Sequence, residues 1–100
     1  MAYPKQVVWT AVAVSDFEEI LDYLNTEWGR RVVTEFVAIL STTTELISRL
    51  PGTFMIINKR KRIRRCVLSK HYSLYYLVKR DQVEILRLVH HKRNPNRLNF

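Results

Sequence analysis

The fold turns on one stretch, Ile63 to Arg93, which reads IRRCVLSKHYSLYYLVKRDQVEILRLVHHKR. Three runs within it, Arg64 to Ser69, Tyr72 to Val78 and Val83 to His90, are rich in β-branched, aromatic and leucine side chains. Such residues fit a pleated, half-buried surface. Runs of six to eight residues are short for buried helices. The separators Ser69-Lys70-His71 and Lys79-Arg80-Asp81-Gln82 are polar and of hairpin length. The stretch therefore reads as a three-stranded antiparallel meander, and the chain before it as a cover for one face.

Upstream, Gln6 to Thr10 is a short strand expected to join the meander. Ser15-Asp16-Phe17-Glu18 has the spacing of a capping box, with Asp16, Glu18 and Glu19 at the positive end of the helix that follows. Phe17, Ile20, Leu21, Leu24 and Trp28 share one face of that helix, and Gly29 breaks it. From Arg30 to Leu50 a second helical stripe runs through Val33, Phe36, Leu40, Thr43, Ile47 and Leu50, widened by Val32, Ile39 and Leu46. Two amphipathic helices with so short a link form an antiparallel hairpin, and Pro51-Gly52 ends it. Neither helix face has the look of a cofactor box; core packing explains its aromatic residues. Thr53 to Asn58 reads as a partly buried loop or a short edge strand.

The expected class is α+β, one domain over residues 1–100, in the order β-α-α-β-β-β. The alternation of strand side chains puts Ile63, Arg65 and Val67 with Tyr72, Leu74, Tyr76 and Val78 against the helices. Arg64, Cys66, Leu68, Ser73, Tyr75 and Leu77 then face outward. On the last strand Leu86 and Leu88 are placed inward, and Ile85, Arg87 and Val89 outward.

Charge narrows the function. The chain carries a net +8. Residues 1–58 hold four Lys/Arg against seven Asp/Glu, a net of −3. Residues 59–100 hold thirteen against two, a net of +11. A polarity this steep points to a polyanionic partner, nucleic acid or an acidic protein segment. The cations singled out for such a partner are Lys59, Arg60, Lys61, Arg62, Arg65 and Arg87. Like charges as dense as Lys59 to Arg62 repel, so these four should be exposed, and mobile until a polyanion binds. Cys66 is the only cysteine, which excludes an internal disulfide and a thiolate zinc cluster. No 18-residue apolar run offers a membrane span, and MAYPKQVVWT does not read as a secretory signal. No cofactor is expected, and the compartment expected is the cytoplasm.

Several residues fall in a recognisable order. Trp9 and Ala13 precede the first helix; Tyr23-Leu24 and Trp28-Gly29 mark its end; Ile63-Arg64-Arg65 opens the meander. Lys70 to Tyr76, Ile85-Leu86-Arg87 and His90-x-x-Arg93 with Asn94-Pro95 complete the set. This resembles the RelE/ParE superfamily of toxins from type II toxin–antitoxin modules, from roughly Gln6 to Leu98. The resemblance implies a small α+β fold, an antiparallel sheet backed by two helices, and a cognate antitoxin with which the toxin forms a hetero-oligomer.

The superfamily divides by target. RelE-like members cut messenger RNA on the ribosome, and ParE-like members poison DNA gyrase. RNA cleavage by 2′-OH attack needs a base, an acid and cations for the phosphorane charge. The candidates are Arg64 and Arg93 as cations and His90 or His91 as acid or base. Against the nuclease pattern the chain has Cys66 in place of a strand lysine, Ser73 in place of an arginine and Asn99 in place of a C-terminal tyrosine. The His90-x-x-Arg93 ending after Ile85-Leu86-Arg87 looks more like the ParE branch. Three functions follow as expectations: a gyrase-directed inhibitor, a ribosome-dependent endoribonuclease, and a basic nucleic-acid-binding module without toxin activity.

Overall fold

The computed structural model describes residues 4–92. The elements are β1 (Gln6–Trp9), α1 (Ala11–Trp28), α2 (Arg30–Arg49), β2 (Ile56–Asn58), β3 (Ile63–Val67), β4 (Tyr72–Val78) and β5 (Gln82–His90). The sheet runs β1-β5-β4-β3-β2. Strands β3, β4 and β5 form the expected antiparallel meander. β1 joins it parallel to β5, in register from Gln6 opposite Gln82 to Trp9 opposite Ile85. β2 is one strand more than the expected β-α-α-β-β-β order; Thr53 to Asn58, read as a loop or a short edge strand, supplies it, paired antiparallel with β3. Among the described residues no helix is long and apolar enough to cross a membrane.

The first helix begins four residues before the expected capping box. Thr10 is its N-cap, with the Thr10 hydroxyl accepting from Ala13 N–H at 3.1 Å. Ser15 lies inside the helix and is exposed. The reason is tertiary. Thr10 N–H donates to Ile85 O and its hydroxyl to Leu86 O at 3.2 Å, so β5 fixes where the chain leaves the sheet and turns into helix. That early start also moves Asp16 away from the helix terminus. Its carboxylate instead takes Arg87 Nε at 2.7 Å, Arg87 Nη2 at 3.2 Å and Leu88 N–H at 3.1 Å.

Gly29 separates α1 from α2 with no other link residue, at φ +87° and ψ 179°. That region is open only to glycine. Ile20 and Leu24 of α1 and Phe36, Leu40 and Ile47 of α2 are buried against the sheet, together with Cys66, Leu74, Tyr76, Val83, Ile85 and Leu88. The helical stripes are narrower than expected. Trp28 (67% exposed) and Leu50 (61%) at the helix ends, with Ile39 and Leu46 at the stripe's margin, reach past the sheet into solvent.

Two face assignments are reversed. Arg64 pairs with Tyr76 and Cys66 with Leu74, so Arg64, Cys66 and Leu68 lie on the helix side, and Arg65 and Val67 on the outer side with Tyr75 and Ser73. An arginine fits the helix side at the sheet's margin because its Nη1 donates to Phe54 O at 2.6 Å. On β5, Tyr75 opposes Arg87 while Tyr76 opposes Ile85, leaving Leu86 as an extra residue. This bulge turns Ile85 inward and Leu86 outward, the opposite of the sequence reading; Leu88 stays inward and Val89 outward. The outer face carries its own small cluster of Ile63, Tyr75, Val89 and Leu86.

Two changes test the helix start. Thr10→Ala removes the cap and should cost about 1–2 kcal/mol, whereas Ser15→Ala should stay within about 0.5 kcal/mol of the parent. Urea denaturation of both variants measures this. Equal losses would return the cap to Ser15.

Candidate functional site

The cations singled out from the sequence separate, among the described residues, into three groups by what their side chains touch. Arg64 and Arg87 are engaged in holding the fold. Arg64 reaches the carbonyls of Phe54 and, at 3.5 Å, Gly52, and with Tyr76 Oη donating to Pro51 O at 2.7 Å it fastens the segment between α2 and β2. Burial raises the Tyr76 phenol above its ordinary value, with the Arg64 charge opposing. Arg87 forms the bidentate pair with Asp16, whose side chain is 12% exposed. The hydrogen bonds to that carboxylate hold Arg87 even more firmly protonated than a free guanidinium, and burial opposes them.

Lys59, Arg60, Lys61 and Arg62 form the second group, all exposed on the turn between β2 and β3. This run is a defined turn. Asn58 Oδ1 accepts from Lys61 N–H at 2.9 Å, and Arg62 takes the left-handed conformation at φ +60°. A left-handed arginine costs about 1 kcal/mol, and the outcome is four cationic side chains projecting at one corner of the sheet.

The third group was legible only in pieces. Alternation places Arg65 of β3, Ser73 of β4 and His91, just after β5, on the same outer face. Ser73 Oγ accepts from Arg65 Nε at 3.2 Å and lies 2.7 Å from His91 Nε2. His91 Nδ1 lies 2.9 Å from Lys70 O. A carbonyl only accepts, so Nδ1 carries a proton toward Lys70 O, and in the neutral ring Nε2 is left to accept the Ser73 hydroxyl proton. A serine 2.7 Å from an imidazole has the geometry of a nucleophile and its base. Here, however, Ser73 has no exposed surface, and its oxygen already accepts from a guanidinium. The triad is therefore a structural tie that closes the β3–β4 turn onto the end of β5. It leaves the terminal nitrogens of exposed Arg65 without a hydrogen bond inside the described chain.

His90 points the other way. Its ring meets Tyr72 edge-on at 5.0 Å and stacks with His71 at 5.9 Å, and Nδ1 accepts from Lys92 N–H at 3.1 Å. With Tyr23, Trp28, Phe36 and Tyr72 it lines a mainly apolar cleft of about 600 Å³ between the helices and the end of the sheet. His90 and His91 thus lie on opposite faces, and the structure does not bring them together. Arg93 and Asn99 lie outside the described residues. No group of three His, Cys, Asp or Glu side chains that could hold a metal occurs among the described residues. Cys66 is buried on the helix side, and burial pushes its thiol up to about 11.

Sequence reading missed Ser73 and Asp16 as organisers. Ser73 had a visible signal, a small polar side chain inside a run of aromatic and aliphatic ones, YSLYYLV. Asp16 had none, because its partners Arg87 and Leu88 are over seventy residues away.

Residues 7–95 match the family described as the ParE toxin of the type II toxin–antitoxin system, parDE. The chain belongs to the ParE toxin family. No curated protein matches this toxin. Solved structures share its fold. One is described as the chromosomal ParDE toxin–antitoxin system of P. aeruginosa; it is 18% identical with a TM-score of 0.74, over 89% of this chain and 98% of that one. A YoeB/ParE toxin of Agrobacterium tumefaciens gives 13% and 0.62, over 86% and 98%. The E. coli DinJ-YafQ toxin–antitoxin complex gives 9% and 0.64, over 94% and 100%. A ParE toxin is one half of a toxin–antitoxin module, so an antitoxin is the partner that membership implies.

The Cys66 environment gives a pH test with a definite sign. Burial favours the neutral thiol, so its contribution to stability is whole below pH 9 and is lost as pH rises towards 11. A thiol reagent at pH 8 should label the native toxin far more slowly than the denatured one. Denaturation midpoints should fall between pH 9 and 11 by more in the parent than in Cys66→Ala. Fast native labelling would contradict the burial.

Proposed function

We propose that this ParE-family toxin is an inhibitor of DNA gyrase that acts by binding, and that an acidic antitoxin neutralises it. One observation carries the reading. The ribonuclease candidates among the described residues are engaged within the fold: Arg64 with Phe54 O, His91 with Ser73 and Lys70 O, and His90 Nδ1 with Lys92 N–H. A general base needs a free lone pair facing its substrate. The Nε2 of His91 is engaged by Ser73, a residue with no exposed surface.

What remains outward is a set of exposed cations, Lys59 to Arg62 and Arg65. Such a surface supports recognition of a polyanion or an acidic protein through charge. An acidic antitoxin complements the +11 of residues 59–100. An antitoxin segment that orders on binding would neutralise these cations and cover apolar surface in the same step.

The test is a pair of assays on the purified toxin. In a gyrase supercoiling reaction it should accumulate cleaved plasmid, and the Lys59/Arg60/Lys61→Glu triple variant should weaken this about tenfold or more. In a coupled translation system the message should stay intact. Cuts in the message at the ribosomal A site, lost on His90→Ala, would replace the gyrase reading with the ribosome-dependent endonuclease.

A further inference from the structure

The outer face of the sheet is covered, yet neither helix covers it. Ile63 is 3% exposed, Tyr75 8% and Val89 3%, and Leu86 packs against them. All four are strand residues, and the helical members of the core belong to the opposite face. A sheet face with no second layer over it is solvated, so burial this complete calls for a cover. The flanking arginines are turned elsewhere. Arg87 reaches Asp16 on α1. Arg65 reaches Ser73, towards the β3–β4 turn and away from Ile63.

Residues 1–3 and 93–100 lie outside the described chain. The first segment approaches from the helix side, because Lys5 N–H donates to Ser48 O on α2 and Ser48 Oγ donates to Lys5 O. The second starts at the sheet end between two surfaces: His91 bonds Ser73 on the outer face, and Lys92 lines the cleft. The cleft is open, with Trp28 and Ile39 of its wall 67% and 41% exposed, whereas the outer cluster is closed. Reach is sufficient. Tyr72, opposite His90, and Leu77, opposite Ile63, are five positions apart on β4, about 16 Å. Eight extended residues span about 26 Å. The residue types fit as well. In an extended segment Leu98 and Phe100 share one side with Asn94 and Asn96, and Arg93 and Arg97 share the other. Pro95 has no N–H, which suits a segment lying on a sheet instead of pairing within it.

We infer that residues 93–100 fold back across the outer face as a strap, seating Leu98 and Phe100 on the cluster of Ile63, Tyr75 and Val89. The same crossing turns Arg93 and Arg97 outward beside Arg65, so the strap converts an apolar face into a cationic one. This holds whichever target the toxin meets.

Nuclear Overhauser spectra of the full chain test the strap without any substitution. The ring protons of Phe100 should show contacts with the methyl groups of Ile63 or Val89, and none with those of Val32 or Ile39 at the cleft. The Leu98→Asp/Phe100→Asp variant should melt about 4 °C or more below the parent, because it sets two carboxylates against a covered apolar cluster. Asn99→Asp, on the outward side of the strap, should melt as the parent does. Contacts from Phe100 to Val32 or Ile39 would place the segment in the cleft. Contacts seen only between differently labelled molecules would make the cover a second copy. No contact from Leu98 or Phe100 to the cluster, or a double variant that melts with the parent, would leave the face to some other cover. Each of these results overturns the strap.

Discussion

Strand β4 pairs along its length with β3 on one side and β5 on the other, and the registers of those two ladders determine the address of every functional side chain. A one-residue slip in a strand exchanges its faces. With β3 in its actual register, Cys66 packs beneath the helices and Arg65 stands outside. With Leu86 inserted as a bulge, Ile85 enters the core while Arg87 lies at the margin where Asp16 can reach it. The Asp16 carboxylate then links α1 to β5 through three hydrogen bonds, each to a charged partner or a backbone amide and so stronger than a neutral pair.

The sequence disclosed what depends on local chemistry. The runs of strand-forming residues, the stop at Pro51-Gly52 and the break at Gly29 all appear in the fold close to where composition placed them. It concealed what depends on distant partners. The start of α1 is set by Thr10 meeting Ile85 and Leu86, so a plausible local signal at Ser15 was overruled. The phase of β3 was misread because Ile63 and Val67 are more apolar than Arg64 and Cys66. Tertiary contacts compensate: Phe54 O accepts from Arg64, Val67 is left exposed, and Ile63 is buried in the outer cluster. The basic turn was legible because charge is written directly in the residues, whereas the Arg65–Ser73–His91 tie needs three strands in register before it exists.

The electrostatic polarity of the chain follows the same division. Its acidic residues are concentrated in the helical half and its cations in the strands and turns. Asp16 and Arg87 are the pair through which the two halves are joined by opposite charge in a partly buried setting. The other ion pairs of the described chain, Arg31–Glu35, Arg49–Glu45 and Lys79–Glu84, are more exposed and contribute little. The densest unpaired charge, Lys59 to Arg62, lies on the turn between β2 and β3, where a ParE toxin presents a field to its surroundings instead of to its own core.

The parallel pairing of β1 with β5 has a consequence for synthesis. Thr10 and Leu86 are bonded across 76 positions of sequence, and contacts that span so much chain form late. A growing polypeptide that has passed α2 owns two helices but no surface for them to rest on. The sheet that receives them is completed only when the last strand leaves the ribosome. The fold therefore closes only after β5 has been made, and a message broken before β5 yields a chain without the strand that joins β1 to β4.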